Sequence, residues 1–147
     1  MLRHVTRVSA LCLTFALAAC DESLASLTGP TPQLKPTFSS IQTEIFENGD
    51  SSGRPACISC HNAAGQFFNG LNLTHAVAYT NLVNVASGQC AATKRVLPGN
   101  ASMSYLMWKL QGTGPCFVGT RMPKGQPLAA ADLNTISTWI AAGAPNN

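Results

Sequence analysis

Five consecutive residues, Cys57-Ile58-Ser59-Cys60-His61, carry the side chains with the clearest chemistry in this chain. Two thiols three positions apart lie on one helical turn, so each can add across a vinyl group of one porphyrin while the following imidazole turns to the iron. The spacing predicts one covalent c-type haem on Cys57 and Cys60, with His61 as the proximal iron ligand. A Cys-x-x-Cys pair also occurs as half of a zinc site or as a redox pair, and the motif alone leaves both open.

Iron in such a motif has a second axial position, and its occupant separates electron transfer from chemistry on a bound molecule. Met122 is the favoured ligand, because it lies in a stretch rich in Gly and Pro, far enough from His61 in sequence for the chain to wrap the haem. A following proline stiffens that approach. Met103 and Met107 are four apart in a predicted helix, a spacing more often found in cores than in ligands, and His75 is expected at the surface or as a helix cap.

The amino-terminal residues have the composition of an export signal. A basic start is followed by an apolar run from Val8 to Ala18, shorter than the roughly twenty residues that a membrane-spanning helix needs. Residues 17–20 read Leu-Ala-Ala-Cys and resemble a bacterial lipobox, which predicts removal of residues 1–19 and lipid on Cys20. The alternative is an ordinary signal peptide with an incidental cysteine. We expect an exported protein of the bacterial cell envelope, lipid-anchored on the periplasmic side or at the cell surface.

Charge and cysteine use after residue 19 restrict the partners and the pairing of thiols. This part of the sequence has seven Lys and Arg and six Asp and Glu, a net charge of about +1. It lacks the excess of basic residues that is typical of nucleic-acid-binding proteins. Apart from the lipid and haem positions, only Cys90 and Cys116 remain. An oxidising compartment favours a disulfide between them, with two buried free thiols as the alternative.

The mature chain divides into a tether over residues 20–37 and one domain over residues 38–145. The tether is rich in Ser, Thr, Gly and Pro and has few large apolar groups to bury. In the domain, helical spacing of apolar residues predicts a first helix with a capping box at Ser39 and Gln42, and a final helix over residues 129–141. Two further helices are expected after Thr74 and after the turn at residues 98–100. No segment has the pattern of a strand.

Several short motifs recur in order along this domain. They are the haem motif, Gly70-Leu71-Asn72-Leu73, Val96-Leu97-Pro98-Gly99-Asn100, Ser104-Tyr105-Leu106, Arg121-Met122-Pro123 and Trp139-Ile140-Ala141-Ala142-Gly143-Ala144. Together they resemble a single-haem cytochrome c of the planctomycete type, found in bacterial lipoproteins. The resemblance implies a small all-α cytochrome c fold with loops around one haem, and first and last helices packed together through Phe46 and Trp139. It also implies haem on Cys57 and Cys60, His61 and Met122 as axial ligands, and a Cys90 and Cys116 pair.

These features predict an electron carrier rather than an enzyme. His/Met ligation closes the iron to substrates, and Arg121 and Lys124 on either side of Met122 could attract an acidic redox partner protein. The alternative is a haem domain with an open or labile sixth position, in an enzyme complex or as a gas sensor. A zinc-binding or thiol-redox module has less support, since zinc ribbons repeat the Cys-x-x-Cys pair, whereas Cys90 and Cys116 stand alone.

Overall fold

The structure is a computed structural model that describes residue 31 and residues 33–50, 52–64 and 70–147. The predicted signal, the lipobox with Cys20 and most of the tether lie outside these residues. Four α-helices are present in the described part: α1 (Phe38–Ile41), α2 (Ala78–Leu82), α3 (Tyr105–Gln111) and α4 (Ala130–Ala141). A π-helical turn, Gln42–Glu47, continues α1, and 3-10 turns occupy Cys57–Ser59 and Ala101–Met103. None of the described helices has the length and apolar character to cross a bilayer.

The predicted all-α cytochrome c fold is wrong. Helices hold 36% of the described residues and isolated β-bridges 5%, so loops and turns make up most of the structure, and the helices are not strongly packed together. The first helix meets the last through the Phe38 ring, whose centroid lies 5.6 Å from that of Trp139. Phe46 and Trp139, the predicted pair, are both buried in the same apolar core. Two hydrogen bonds from the backbone of residues 38 and 39 to Asn147 add to this contact.

The first helix begins earlier than its predicted capping box. Thr37 is the N-cap, and its hydroxyl accepts a hydrogen bond from the Ser40 amide, so the box at Ser39 and Gln42 is wrong. Gln42 is instead buried, and its side-chain amide donates to Glu47 Oε1 and to the Leu73 carbonyl, at 2.9 Å each. This side chain links the first helix to the chain that follows the cysteine motif.

Short bridges, which the sequence pattern does not indicate, organise the middle of the chain. Val83 pairs with Val96, and Lys94 pairs with both Ala86 and Ser104. The same stretch meets the start of α3, where the amides of residues 105 and 106 donate to the carbonyls of residues 94 and 95. These contacts explain how a chain with so few helical residues satisfies its backbone groups.

The apolar core collects side chains from all four α-helices and from the loops between them. Its fully buried members include Ile41, Ile45, Leu82, Ile136 and Trp139. A smaller cluster contains Cys90, Tyr105 and Trp108, with Cys116 and Phe117 packed against it. The predicted disulfide between Cys90 and Cys116 is confirmed, with the two Cα atoms 6.0 Å apart.

The carboxyl end of the predicted tether is fastened to the last helix. Thr31 donates from its amide to Asp132 Oδ1 at 2.9 Å and from its hydroxyl to Oδ2 at 3.0 Å. Asp132 is buried in the first turn of α4, although it is the one acidic residue after Asp50. Leu34 packs against the core, and the Lys35 amide donates to the Ser40 hydroxyl. Thr31 and the described residues 33–37 are therefore part of the folded unit.

Candidate haem-attachment site

A buried arginine shapes the loop that carries the cysteine motif. The guanidinium of Arg54 donates to the carbonyls of Glu44, Ile45 and Asn48 at 3.0–3.2 Å. These carbonyls lie at the end of the π-helical turn, where the backbone has no intrahelical donor left. Arg54 therefore ends the first helix and fixes the chain that enters the motif.

The same arginine is paired with Asp50. Arg54 Nε donates to Asp50 Oδ2 at 2.9 Å, and the Arg54 amide donates to Oδ1 at 3.1 Å. Burial acts to raise the pKa of Asp50, but hydrogen bonds from Ser52 and Arg54 and the arginine charge outweigh it, so the pKa is lowered. The carboxylate thus stays ionised and neutralises the buried guanidinium.

Gly49 allows this loop to close. A Cβ at position 49 would lie 2.6 Å from the Arg54 carbonyl oxygen, closer than two such atoms approach. The backbone on either side of the turn is therefore in direct contact, and only a residue without a side chain fits there.

The two motif cysteines have different surroundings. Cys57 is partly buried, and its thiol donates to the carbonyl of Ile45, which also accepts from Arg54. Burial raises the pKa of Cys57 to about 11, against the opposing charge of Arg54. Cys60 is exposed, and neither sulfur is in a disulfide. A protonated thiol is a weaker nucleophile and metal ligand than a thiolate, so burial makes Cys57 a less reactive sulfur in the absence of a bound group.

The backbone of His61 is hydrogen-bonded to the motif and to the chain that follows it. Its amide donates to the Cys57 carbonyl at 2.8 Å, and its own carbonyl accepts from the Leu73 amide at 2.9 Å. Burial lowers the pKa of His61, while a hydrogen bond with the Leu71 backbone opposes the shift and the positive charges of Lys109 and Arg95 add to it. The neutral ring is the form that binds a metal, and a hydrogen bond to one nitrogen orients the other.

Met122 lies in a loop that is attached to α3. Its amide donates to the carbonyl of Lys109 at 2.8 Å, and its side chain is partly buried. The peptide bond between Met122 and Pro123 is cis. Lys109, which accepts the hydrogen bond from the Met122 amide, is also one of two residues whose positive charge lowers the pKa of His61.

The other candidate ligands have separate roles. Met107 is buried in the core, as predicted, whereas Met103 is 40% exposed. His75 is exposed, and its Nδ1 lies 3.3 Å from Glu47 Oε1. Within the described ranges, no three His, Cys, Asp or Glu side chains converge in an arrangement that could hold a metal ion on their own.

The donor set fits covalent haem attachment. Two thiols outside any disulfide and one oriented, neutral imidazole follow each other on a single turn, and Cys57 and Ile58 pack against the apolar core. Cys57 and Cys60 would hold the porphyrin, and His61 would bind its iron, with Met122 as the candidate for the other axial position.

Comparison with known proteins adds no relative. The chain matches no protein family, no curated protein and no solved structure. The assignment of the site therefore depends on its residues and their geometry.

Sequence reasoning missed Arg54, the residue that organises this site. The available signal was an arginine three residues before a Cys-x-x-Cys pair and four after an aspartate, directly behind a helix stop at residues 48–49. An arginine in that position can cap the helix and pair with the aspartate at once.

Replacing Arg54 with leucine should destabilise the protein by about 2–4 kcal/mol, because three carbonyls lose their donor and Asp50 loses its partner. Chemical denaturation followed by circular dichroism measures this loss. Lys124→Leu removes a positive charge from an exposed loop residue and should change stability by less than about 0.5 kcal/mol. Equal stabilities for Arg54→Leu and the wild type would show that the hydrogen bonds of Arg54 do not stabilise the fold.

Proposed function

We propose that this protein is an electron carrier, a mono-haem c-type cytochrome that is tied to a bacterial envelope membrane by lipid on Cys20. The observation that carries the proposal is the Cys57, Cys60 and His61 set, in which two free thiols adjoin an oriented neutral imidazole. The proposal extends to Met122 as the second axial ligand and to acidic redox proteins as partners.

The motif residues would attach the porphyrin without further protein groups. Cys57 and Cys60 would hold it through thioether bonds, in which each sulfur would be bonded to one carbon of a former vinyl group and the thiol hydrogen to the other. A raised pKa keeps Cys57 in the thiol form in the folded chain. The bound haem would supply reversible one-electron chemistry at its iron.

His61 and Met122 would determine what the iron can do. A neutral imidazole and a thioether are both uncharged ligands, and a thioether favours ferrous iron, so the pair raises the reduction potential. With both positions filled, small molecules are kept from the metal. This favours electron transfer over the alternative of an open, gas-binding or catalytic site.

The positive charges near the site would steer partners. Lys94, Arg95, Lys109, Arg121 and Lys124 are the five basic residues after Arg54, and the same stretch of sequence contains Asp132 as its single acid. Because Asp132 is buried against Thr31, the exposed charge of this stretch of the chain is positive. A positive surface raises the rate of encounter with an acidic protein.

Covalent attachment can be tested by mass. Protein matured in a bacterium with a cytochrome c export system should carry one haem that acid-acetone does not extract. Cys57→Ala and Cys60→Ala should each reduce haem retention, while a Cys90→Ser/Cys116→Ser double variant, which keeps the motif, should retain it. Extractable haem, or zinc in its place, would refute the proposal.

Lipid attachment predicts the behaviour of Cys20→Ser. The variant should be released from the membrane as soluble, haem-loaded protein, because residue 20 lies eleven positions before Thr31, which is bonded to the last helix. Fractionation with a haem stain measures the partition. An unchanged membrane fraction would mean that something else anchors the chain.

Ligation by Met122 can be read from the spectrum. The oxidised wild type should show the weak long-wavelength band of methionine-bound ferric haem, and Met122→Ala should lose it, have a lower potential and bind carbon monoxide when reduced. Met103→Ala is the matched control, because Met103 is also partly exposed, and it should change none of these. A wild-type spectrum and potential in Met122→Ala would argue for an open site or for His75.

A further inference from the structure

One lysine side chain spans the loop that leads to Met122. Lys109, near the carboxyl end of α3, donates from Nζ to the carbonyl of Val118 at 3.0 Å and to that of Thr120 at 2.7 Å. Its ammonium also lies 5.0 Å from the centroid of the Phe117 ring. Both hydrogen bonds are charge-assisted, and the aromatic face adds a cation–π attraction.

The backbone of Lys109 contacts Met122 itself. Its carbonyl accepts the hydrogen bond from the Met122 amide at 2.8 Å. One residue of a helix therefore contacts the loop at positions 118, 120 and 122, on both sides of Arg121. Each contact constrains a different peptide unit, so the conformation of residues 118–122 is fixed relative to α3.

Further contacts hold the loop at its start and near Met122. Arg121 Nε donates to the carbonyl of Leu110 at 2.7 Å, which satisfies a backbone group at the end of α3. Gly112 ends the helix in the left-handed region, with φ of 78°, and the side chain of Arg121 lies over it. At the start of the loop, Cys116 is bonded to Cys90.

We propose that Lys109 is a positioning residue for Met122, which it holds at the iron by fixing residues 118–122 to α3. This inference rests on the proposed function, in which Met122 is an axial ligand. A thioether is a weak, neutral ligand, so its occupancy depends on how closely the loop keeps the sulfur in place. Groups that orient a ligand in this way change metal affinity by about 10- to 100-fold when they are removed.

The experiment measures competition at the iron in the full-length, haem-loaded protein. Imidazole is titrated into the oxidised protein, where it must displace Met122. Lys109→Leu removes the Nζ donors but keeps the backbone carbonyl, and it should bind imidazole roughly tenfold more tightly than the wild type. Lys109→Arg, which retains charge and donors, should stay within about threefold of the wild type, since arginine fits the same acceptors in part.

Lys124→Leu is the matched control. Like Lys109→Leu, it removes one positive charge, but from the loop itself, two residues after Met122. If Lys109 acts by holding the loop in position and not by its charge, Lys124→Leu should leave the affinity for imidazole unchanged. Hydrogen exchange of the amides of residues 118–122 gives a second readout, and it should be faster in Lys109→Leu alone. If Lys109→Leu does not fold, the comparison of Lys109→Arg with Lys109→Gln tests the same point, with tighter imidazole binding expected for Gln.

The outcomes separate this inference from the proposed function. If the wild type lacks the methionine band or Met122→Ala leaves it unchanged, Met122 is not a ligand and the proposed function fails. If the band depends on Met122 but imidazole affinity and amide exchange are the same in Lys109→Leu as in the wild type, the positioning role is refuted. Equal effects of Lys109→Leu and Lys124→Leu would also refute it, because charge alone would then account for the change.

Discussion

The buried guanidinium of Arg54 is the interaction on which the candidate site depends. It satisfies three carbonyls at the end of the first helix and is neutralised by Asp50, so it fixes the backbone on the side from which the cysteine motif is entered. The carbonyl of Ile45 serves both this arginine and the thiol of Cys57. A single backbone oxygen thus couples the end of the helix to the first cysteine.

The loop that carries Met122 is held in a different way. A helix of only seven residues, α3, holds this loop through the side chain and the backbone of Lys109. The disulfide between Cys90 and Cys116 ties the loop to the middle of the chain, next to the Tyr105 and Trp108 rings. Polar contacts to carbonyls and one covalent link therefore do the work that helix packing performs in larger cores.

Sequence reasoning succeeded where a local pattern decides the structure. The final helix, predicted over residues 129–141, runs from Ala130 to Ala141, and the disulfide follows from cysteine count and compartment. It failed where long-range contacts decide. The buried Gln42 and the bridges at Lys94 depend on partners outside their own element, which periodicity does not reveal. The cap at Thr37 is a local contact with Ser40, which the predicted capping box misplaced by two residues. The predicted fold class was wrong for a related reason. Side chains such as Arg54 and Lys109 donate hydrogen bonds to the backbone carbonyls of loops, and the helical spacing of apolar residues does not predict such loops.

The bonds between Thr31 and Asp132 shorten the distance over which the folded unit can move if Cys20 is anchored. Eleven residue steps join Cys20 to Thr31, which gives a fully extended reach of about 40 Å. A tether that ended at residue 37 would reach about 60 Å by the same measure. If Cys20 is anchored, the bonds at the first turn of α4 thus limit how far the folded unit can reach from the point of attachment.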